Sequence, residues 1–147
     1  MSSPPKWYMP VTIAALLWNL LGCLAYLSDV MLTPDDIAKM SADLQELYAS
    51  RTAWAVAATA IAVWGGAAGS LGLILRKTWA LPLLIASLAG ILVQDFGLFV
   101  LTNAASVAGP AAFVTQGIVF VVGIGLVMLA RSAKAQGWIP KQTASMN

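Results

Sequence analysis

Two long apolar runs meet at a pair of basic residues in the stretch AVWGGAAGSLGLILRKTWALPLLIASLAG, residues 62–90. The charges are Arg76 and Lys77, and no other residue of the stretch is charged. An α-helix of roughly 20 apolar residues is long enough to cross the hydrocarbon core of a bilayer, which is about 30 Å thick. Because the charged connection is short, the sequence predicts two antiparallel neighbouring membrane helices.

The whole chain is similarly apolar: of its 147 residues, 60% are hydrophobic and 10% are charged. A soluble domain carries about a quarter charged residues. We predict a single all-α membrane domain over residues 1–147, an integral membrane four-helix bundle surrounded by the lipid bilayer. Its spans are expected at about 10–28, 53–75, 79–101 and 111–130.

The basic residues are divided unequally between the predicted loops. Only Lys39 and Arg51 fall between the first and second spans. The other six lie before the first span, between the second and third, and after the fourth: Lys6, Arg76, Lys77, Arg131, Lys134 and Lys141. Since Lys and Arg are retained in cytoplasmic loops, both termini are expected in the cytoplasm.

Residue counts exclude several classes of site. Cys23 is the one cysteine and there is no histidine, which excludes disulfides, CxxC redox pairs, histidine-ligated zinc or haem and Ser-His nucleophiles. The net charge of +2 comes with no basic cluster of the kind that binds nucleic acid. We therefore expect no cofactor, no metal, no nucleic-acid partner and no enzymatic activity.

An amphipathic segment separates the first two spans. It reads LTPDDIAKMSADLQELYASR, residues 32–51. Thr33 is a suitable helix cap, Pro34 suits the first helical position, and Asp35 and Asp36 favour the positive end of the helix dipole. The sequence predicts one external helix at about 34–48, lying on the outer membrane surface.

Small and polar residues recur at helical spacing within the spans, as they do where membrane helices pack together. Asn19 lies on such a stripe in the first span, and Gln116 lies on another in the fourth. The second span contributes Gly65, Gly69 and Gly72, and the third contributes Ser87, Gly90, Gln94 and Gly97. These stripes predict a bundle with a polar interior.

Asp95 follows Gln94 inside the third apolar run. An ionised carboxylate at that depth costs several kcal/mol unless it is paired or hydrogen-bonded. Arg51 is the nearest cation, although Asp29 competes for it. Two interpretations stay open: a polar cluster of Asp95, Gln94, Gln116 and Asn19 that fixes packing, or a proton- or solute-binding site open to the outside.

Two stretches carry a resemblance to a known family. ALLWNLLGCLAYL at 15–27 and AVWGGAAGSLGLILRKTWALPL at 62–83, with VQD at 93–95, resemble a family of small bacterial four-span membrane proteins often labelled sugar transporters. The resemblance implies a bacterial inner-membrane location and offers no binding residues to carry across. Of the side chains that a sugar site uses, Trp18, Trp64, Asn19 and Gln116 would supply part.

Two functions are consistent with these features. The first is a transporter or channel-like protein that binds a small solute or a proton around Asp95 and acts as a dimer through the small-residue face of the second span. The alternative is an accessory protein that binds another membrane protein or lipid, with the polar cluster serving packing. Acid–base chemistry by a buried carboxylate on lipid headgroups is a third and weaker hypothesis.

Overall fold

The computed structural model describes residues 3–100 and 110–140. These residues form six helices and contain no strand. The helices are α1 (Tyr8–Val30), α2 (Pro34–Ala38), α3 (Ala42–Ser50), α4 (Ala53–Ile74), α5 (Ala80–Phe99) and α6 (Pro110–Ala135). The predicted all-α architecture is confirmed.

Four helices, α1, α4, α5 and α6, are long and apolar enough to cross a membrane, and the chain is a multi-pass membrane protein. Each covers one predicted span within a few residues. The largest difference is at α6, which continues past the predicted end at 130 to Ala135. Hydropathy marks the apolar part of a helix and does not mark its end, because Arg131 and Lys134 are good helix formers. The predicted end of the third span at 101 lies outside the described residues.

The four long helices pack in the order α1, α4, α5, α6. The largest interface joins α4 to α5, and further interfaces join α1 to α4 and α5 to α6. Within the described residues, α1 and α6 form no comparable interface with each other. The two outer helices of the row therefore flank an opening whose floor is α4 and α5.

Close approach of α4 and α5 depends on small side chains. A Cβ atom added to Gly90 would lie 2.7 Å from the carbonyl oxygen of Ala58 and 2.9 Å from the backbone nitrogen of Ala62. The Ser87 hydroxyl donates a hydrogen bond to the Ala62 carbonyl oxygen on the same face. The helical hairpin predicted from the Arg76–Lys77 connection is thus held by backbone-to-backbone contact.

One end of the row is closed by the segment that follows α6. Gly137, at φ 78°, ends the helix by letting the Trp138 N–H reach back to the Ala133 carbonyl oxygen. Trp138 then packs edge-on against Tyr8, with ring centroids 5.7 Å apart, and accepts a 2.8 Å hydrogen bond from Arg76 Nε through its carbonyl oxygen. We call this the basic end, after Lys6, Arg76, Lys77, Arg131 and Lys134.

The opposite end, the acidic end, carries Asp29 and the segment of α2 and α3 with Asp35, Asp36, Asp43 and Glu46. The single helix predicted at 34–48 is two helices, because Ser41 is extended and its hydroxyl caps α3 by accepting from the Leu44 N–H. Gln45 bridges the break by donating from its amide to the Met40 carbonyl oxygen at 2.9 Å. The segment is helical where predicted except around this second cap.

Loss of the Thr33 hydroxyl should fray α2. Thr33 accepts from the Asp36 N–H through its hydroxyl, and its own N–H and hydroxyl both donate to the Asp36 carboxylate, each at 2.9 Å. We expect Thr33→Ala to speed amide hydrogen exchange across Asp35–Ile37, whereas Thr33→Ser keeps the protection because it keeps the capping oxygen.

The same cap gives α2 a pH dependence. The hydrogen bonds from the Thr33 backbone and then from its side chain hold the pKa of Asp36 below its ordinary 3.8. A lowered pKa means that the cap is fully present above the ordinary pKa and is lost as pH falls through the folded value. The protection factor of the α2 amides, which corrects for the intrinsic pH dependence of exchange, should fall only below about pH 4, and equal protection factors at pH 2 and pH 7 would contradict this.

Candidate functional site

A cleft of about 510 Å³ lies between α1 and α6, with α4 and α5 as its floor. Its deep end is formed by Leu84 and Leu126, which belong to the buried core that closes the basic end. From there it extends to Tyr26 and Asp29 at the acidic end. The polar residues that line it are Asn19, Asp29, Thr59, Ser87, Gln94, Thr115 and Gln116.

The inner polar group of the cleft is built around Asn19. Its amide NH₂ donates to the Ala15 carbonyl oxygen at 2.8 Å and to the Ser70 hydroxyl at 3.2 Å. The side chain fits because Gly66 has no Cβ, which would lie 2.1 Å from Asn19 Oδ1. Asn19 therefore ties α1 to α4 at mid-depth, and because both of its N–H donors are used, it has its carbonyl oxygen left to accept from a molecule in the cleft.

The outer polar group is an amide pair nearer the acidic end. The NH₂ group of Gln94 on α5 donates to the carbonyl oxygen of Gln116 on α6 at 3.2 Å. An amide has two N–H donors and an oxygen with two lone pairs. The single hydrogen bond between Gln94 and Gln116 therefore leaves most of their donors and acceptors available. Together with Thr59 on α4, the pair can both donate to and accept from a bound molecule.

The mouth of the cleft is held by an ion pair. Arg51, the C-cap of α3, donates from a terminal guanidinium nitrogen to Asp29 near the end of α1. Tyr48 donates its hydroxyl to the same carboxylate at 2.7 Å and lies with its ring centroid 4.6 Å below the Arg51 guanidinium carbon. Burial, and then the bond to Asp29, raises the pKa of Tyr48. Of the two candidate partners for Arg51, the structure joins it to Asp29.

A smaller chamber of about 200 Å³ adjoins the cleft beneath Arg51. Both cavities are lined by Thr59, Gln94 and Gln116, so these three side chains form their common wall. The Nε atom of Arg51 is buried and has no hydrogen-bond partner within the described chain. The chamber thus combines amides and hydroxyls with a guanidinium N–H that has no acceptor.

Asp95 does not line either cavity. The neighbours one turn away on its side of α5 face α6: Ile91 Cδ1 lies 3.0 Å from the position that a Gly123 Cβ would take, and Phe99 stacks on Phe113 at 4.6 Å. Asp95 is half-buried on this row, and its Oδ1 atom is buried without a hydrogen-bond partner among residues 3–100 and 110–140. The predicted cluster is therefore centred on Gln94 and Gln116, with Asp95 beside it at the α5–α6 interface.

The two tryptophans proposed as aromatic surfaces are placed differently. Trp18 lines the cleft next to Asn19. Trp64 is 46% exposed and does not line the cleft, so the structure does not bring it together with the other residues of this site. Thr59 and Ser70 were not among the predicted site residues, although they lie three helical turns apart on α4 and so share a face. Their helical spacing could have indicated a polar face on α4.

The glycines expected to pack helices lie within the chain. Gly65, Gly69 and Gly72 on α4 meet Leu83, Leu84 and Trp79 respectively, and Gly97 on α5 meets Ala55. This small-residue face of α4 packs against the start of α5 and the Trp79 side chain that precedes it. It is not open to a second copy, which corrects the expectation that a dimer forms through it.

No group of three His, Cys, Asp or Glu side chains in the described parts of the chain is placed to hold a metal ion. Comparison with protein-family models, with curated proteins and with solved structures found no match to this chain. The function of the protein is therefore inferred from the cleft and its residues.

Proposed function

We propose that this protein is a small transporter or channel-like protein that binds a small, uncharged, polar solute in the cleft between α1 and α6. The observation that carries the proposal is the cavity itself, lined by Asn19, Gln94 and Gln116 at two depths and bounded at one end by a packed core. Ligand sites are typically mostly apolar cavities of 300–1,000 Å³ with a few placed polar groups.

An uncharged solute is favoured by the charges that face the cleft. Asp29 is its one charged lining residue among those described, and Arg51 already neutralises that carboxylate. A charged solute would lose its hydration and meet no free counter-charge, which is costly. Amide side chains, by contrast, both donate to and accept from hydroxyl or amide groups. This chemistry is compatible with the sugar-transporter label of the resembling family.

The proposal includes an orientation. The basic end would face the cytoplasm and the acidic end the outside of a bacterial inner membrane, because Lys and Arg are retained on the cytoplasmic side. Both termini would then be cytoplasmic and the cleft would be open outward. Two copies acting together remain part of the proposal, with α1 and α6, the least buried long helices, as the surfaces available to a dimer.

Asp95 has a separate role in this proposal as a proton-binding group beside the solute site. Its buried Oδ1 has no partner in the described chain, and an intramembrane ionisable residue is by default a candidate for a proton pathway. Gln94, its neighbour in sequence, links it to the cleft. A proton on Asp95 would thereby be coupled to the amide pair that faces the solute.

The accessory-protein alternative is weaker in this geometry. One of its three grounds was an exposed small-residue face of α4, and that face lies against α5. The other two, the amphipathic external segment and the basic end, are compatible with a protein or lipid partner but do not account for the cleft.

A ligand screen tests the proposal directly. The purified protein in detergent is heated with a panel of polyols, sugars and small amides, and hits are tested for flux into proteoliposomes. A true ligand at 100 times its Kd should add about 2.7 kcal/mol of stability. Asp95→Asn should keep solute binding and lose any pH dependence of flux. Stabilisation by no member of the panel, together with no flux, would overturn the proposal.

A further inference from the structure

The charges of this chain are separated between its two ends. All six acidic residues of the sequence lie in the acidic-end segment or, for Asp95, in the half of α5 nearest to it. The basic end carries five of the eight Lys and Arg residues and no Asp or Glu. No carboxylate side chain of the same chain is therefore close enough to neutralise these cations.

The five cations lie at the ends of all four long helices. Lys6 precedes α1, Arg76 and Lys77 form the turn between α4 and α5, and Arg131 and Lys134 occupy the last turns of α6. All except Arg76 are exposed. Arg76 is held in place by its bond to the Trp138 carbonyl oxygen, which uses one of the five donors of its guanidinium group.

Two exposed tryptophans place these cations at headgroup depth. Trp7, beside Lys6, is 50% exposed, and Trp79, two residues after Lys77, is 41% exposed. Tryptophan is enriched where the hydrocarbon core meets the headgroups, because its ring is apolar and its N–H is polar. The exposed cations next to these rings are therefore level with lipid phosphates.

We propose that the basic end is a binding surface for anionic phospholipid headgroups. Anionic lipids are favoured over an acidic protein because the cations are distributed over the ends of all four long helices. Lipids can occupy every gap between helices, whereas a protein partner needs one contiguous patch. Each Lys or Arg near an anionic leaflet adds to the attraction, and added salt screens it.

The test measures lipid selectivity of the full chain. The protein is reconstituted with spin-labelled phosphatidylglycerol or phosphatidylcholine, and the motionally restricted fraction gives their relative association constants. We expect about threefold or greater preference for phosphatidylglycerol at low salt. The variant Lys6→Gln, Lys77→Gln, Lys134→Gln should lose most of this preference, and Lys39→Gln, at the acidic end, should retain it.

Both the salt response and the variants can contradict the proposal. The wild-type preference should fall in 0.5 M salt, where the screening length is only a few ångströms. Equal association constants for the two lipids, or an unchanged preference in the triple variant, would overturn it. These surface substitutions leave the helix contacts intact, and circular dichroism would check that the variants are folded.

Discussion

Replacing Gly90 by alanine is expected to destabilise the protein by about 3 kcal/mol, the upper end of the usual range for overpacking. The new methyl group would lie 2.7 Å from the Ala58 carbonyl oxygen and 2.9 Å from the Ala62 nitrogen. Both are backbone atoms, so no side-chain rotation can relieve the contact. The α4–α5 interface, the largest in the protein, would have to separate.

The control is Gly125→Ala on α6, where an added Cβ meets nothing within 4 Å. It should leave stability unchanged or raise it by up to about 1 kcal/mol, because alanine favours a helix more than glycine does. Thermal unfolding in one detergent, followed by near-ultraviolet circular dichroism, compares the two variants. Equal midpoints for Gly90→Ala and Gly125→Ala would show that α4 and α5 do not pack this closely.

Replacing both Gln94 and Gln116 by leucine is expected to weaken solute binding by about 30- to 150-fold, which corresponds to two lost hydrogen bonds of about 1–1.5 kcal/mol each. The two side chains line both cavities and pair with each other. Removing both leaves no unpaired amide, so the fold should tolerate the change. Binding is measured by calorimetry with the solute found in the ligand screen.

The matched control for that pair is Trp64→Leu. Trp64 lies outside the cleft, and its loss should change the Kd by less than twofold. If the double leucine variant binds the solute as tightly as the wild type does, the solute does not bind in the cleft. A variant that loses binding together with its thermal stability would instead show that the amide pair serves packing.

The helices and their order could be predicted because they depend on local signals. The Arg76–Lys77 connection between apolar runs leads directly to the α4–α5 hairpin, and the Thr33-Pro34-Asp35-Asp36 sequence marks the start of α2. The second cap at Ser41 was equally local but was hidden by the continuing apolar period of the segment. In the structure this cap ends the continuous helix that the apolar period predicts, and α3 begins after Ser41.

The site was harder to predict because it depends on rotation about a helix axis. Gln94 and Asp95 are one residue apart, or about 100° on a helix, and the chemistry of a carboxylate drew attention to Asp95. Packing decides which of the two faces the cleft, and it selects Gln94. The closing contact of Trp138 with Arg76 and Tyr8 joins residues distant in sequence, and no pattern in the chain indicates it.

Water access from the acidic end distinguishes an open solute cleft from a closed helix bundle. In a Cys23→Ser background, a cysteine at position 119 lines the cleft, whereas one at position 118 lies on the exposed outer surface of α6, facing lipid. A membrane-impermeant thiol reagent applied to proteoliposomes in which the acidic end faces the bath should modify Val119→Cys rapidly and Ile118→Cys hardly at all. Protection of both cysteines would mean a dry, closed bundle and would contradict a solute site.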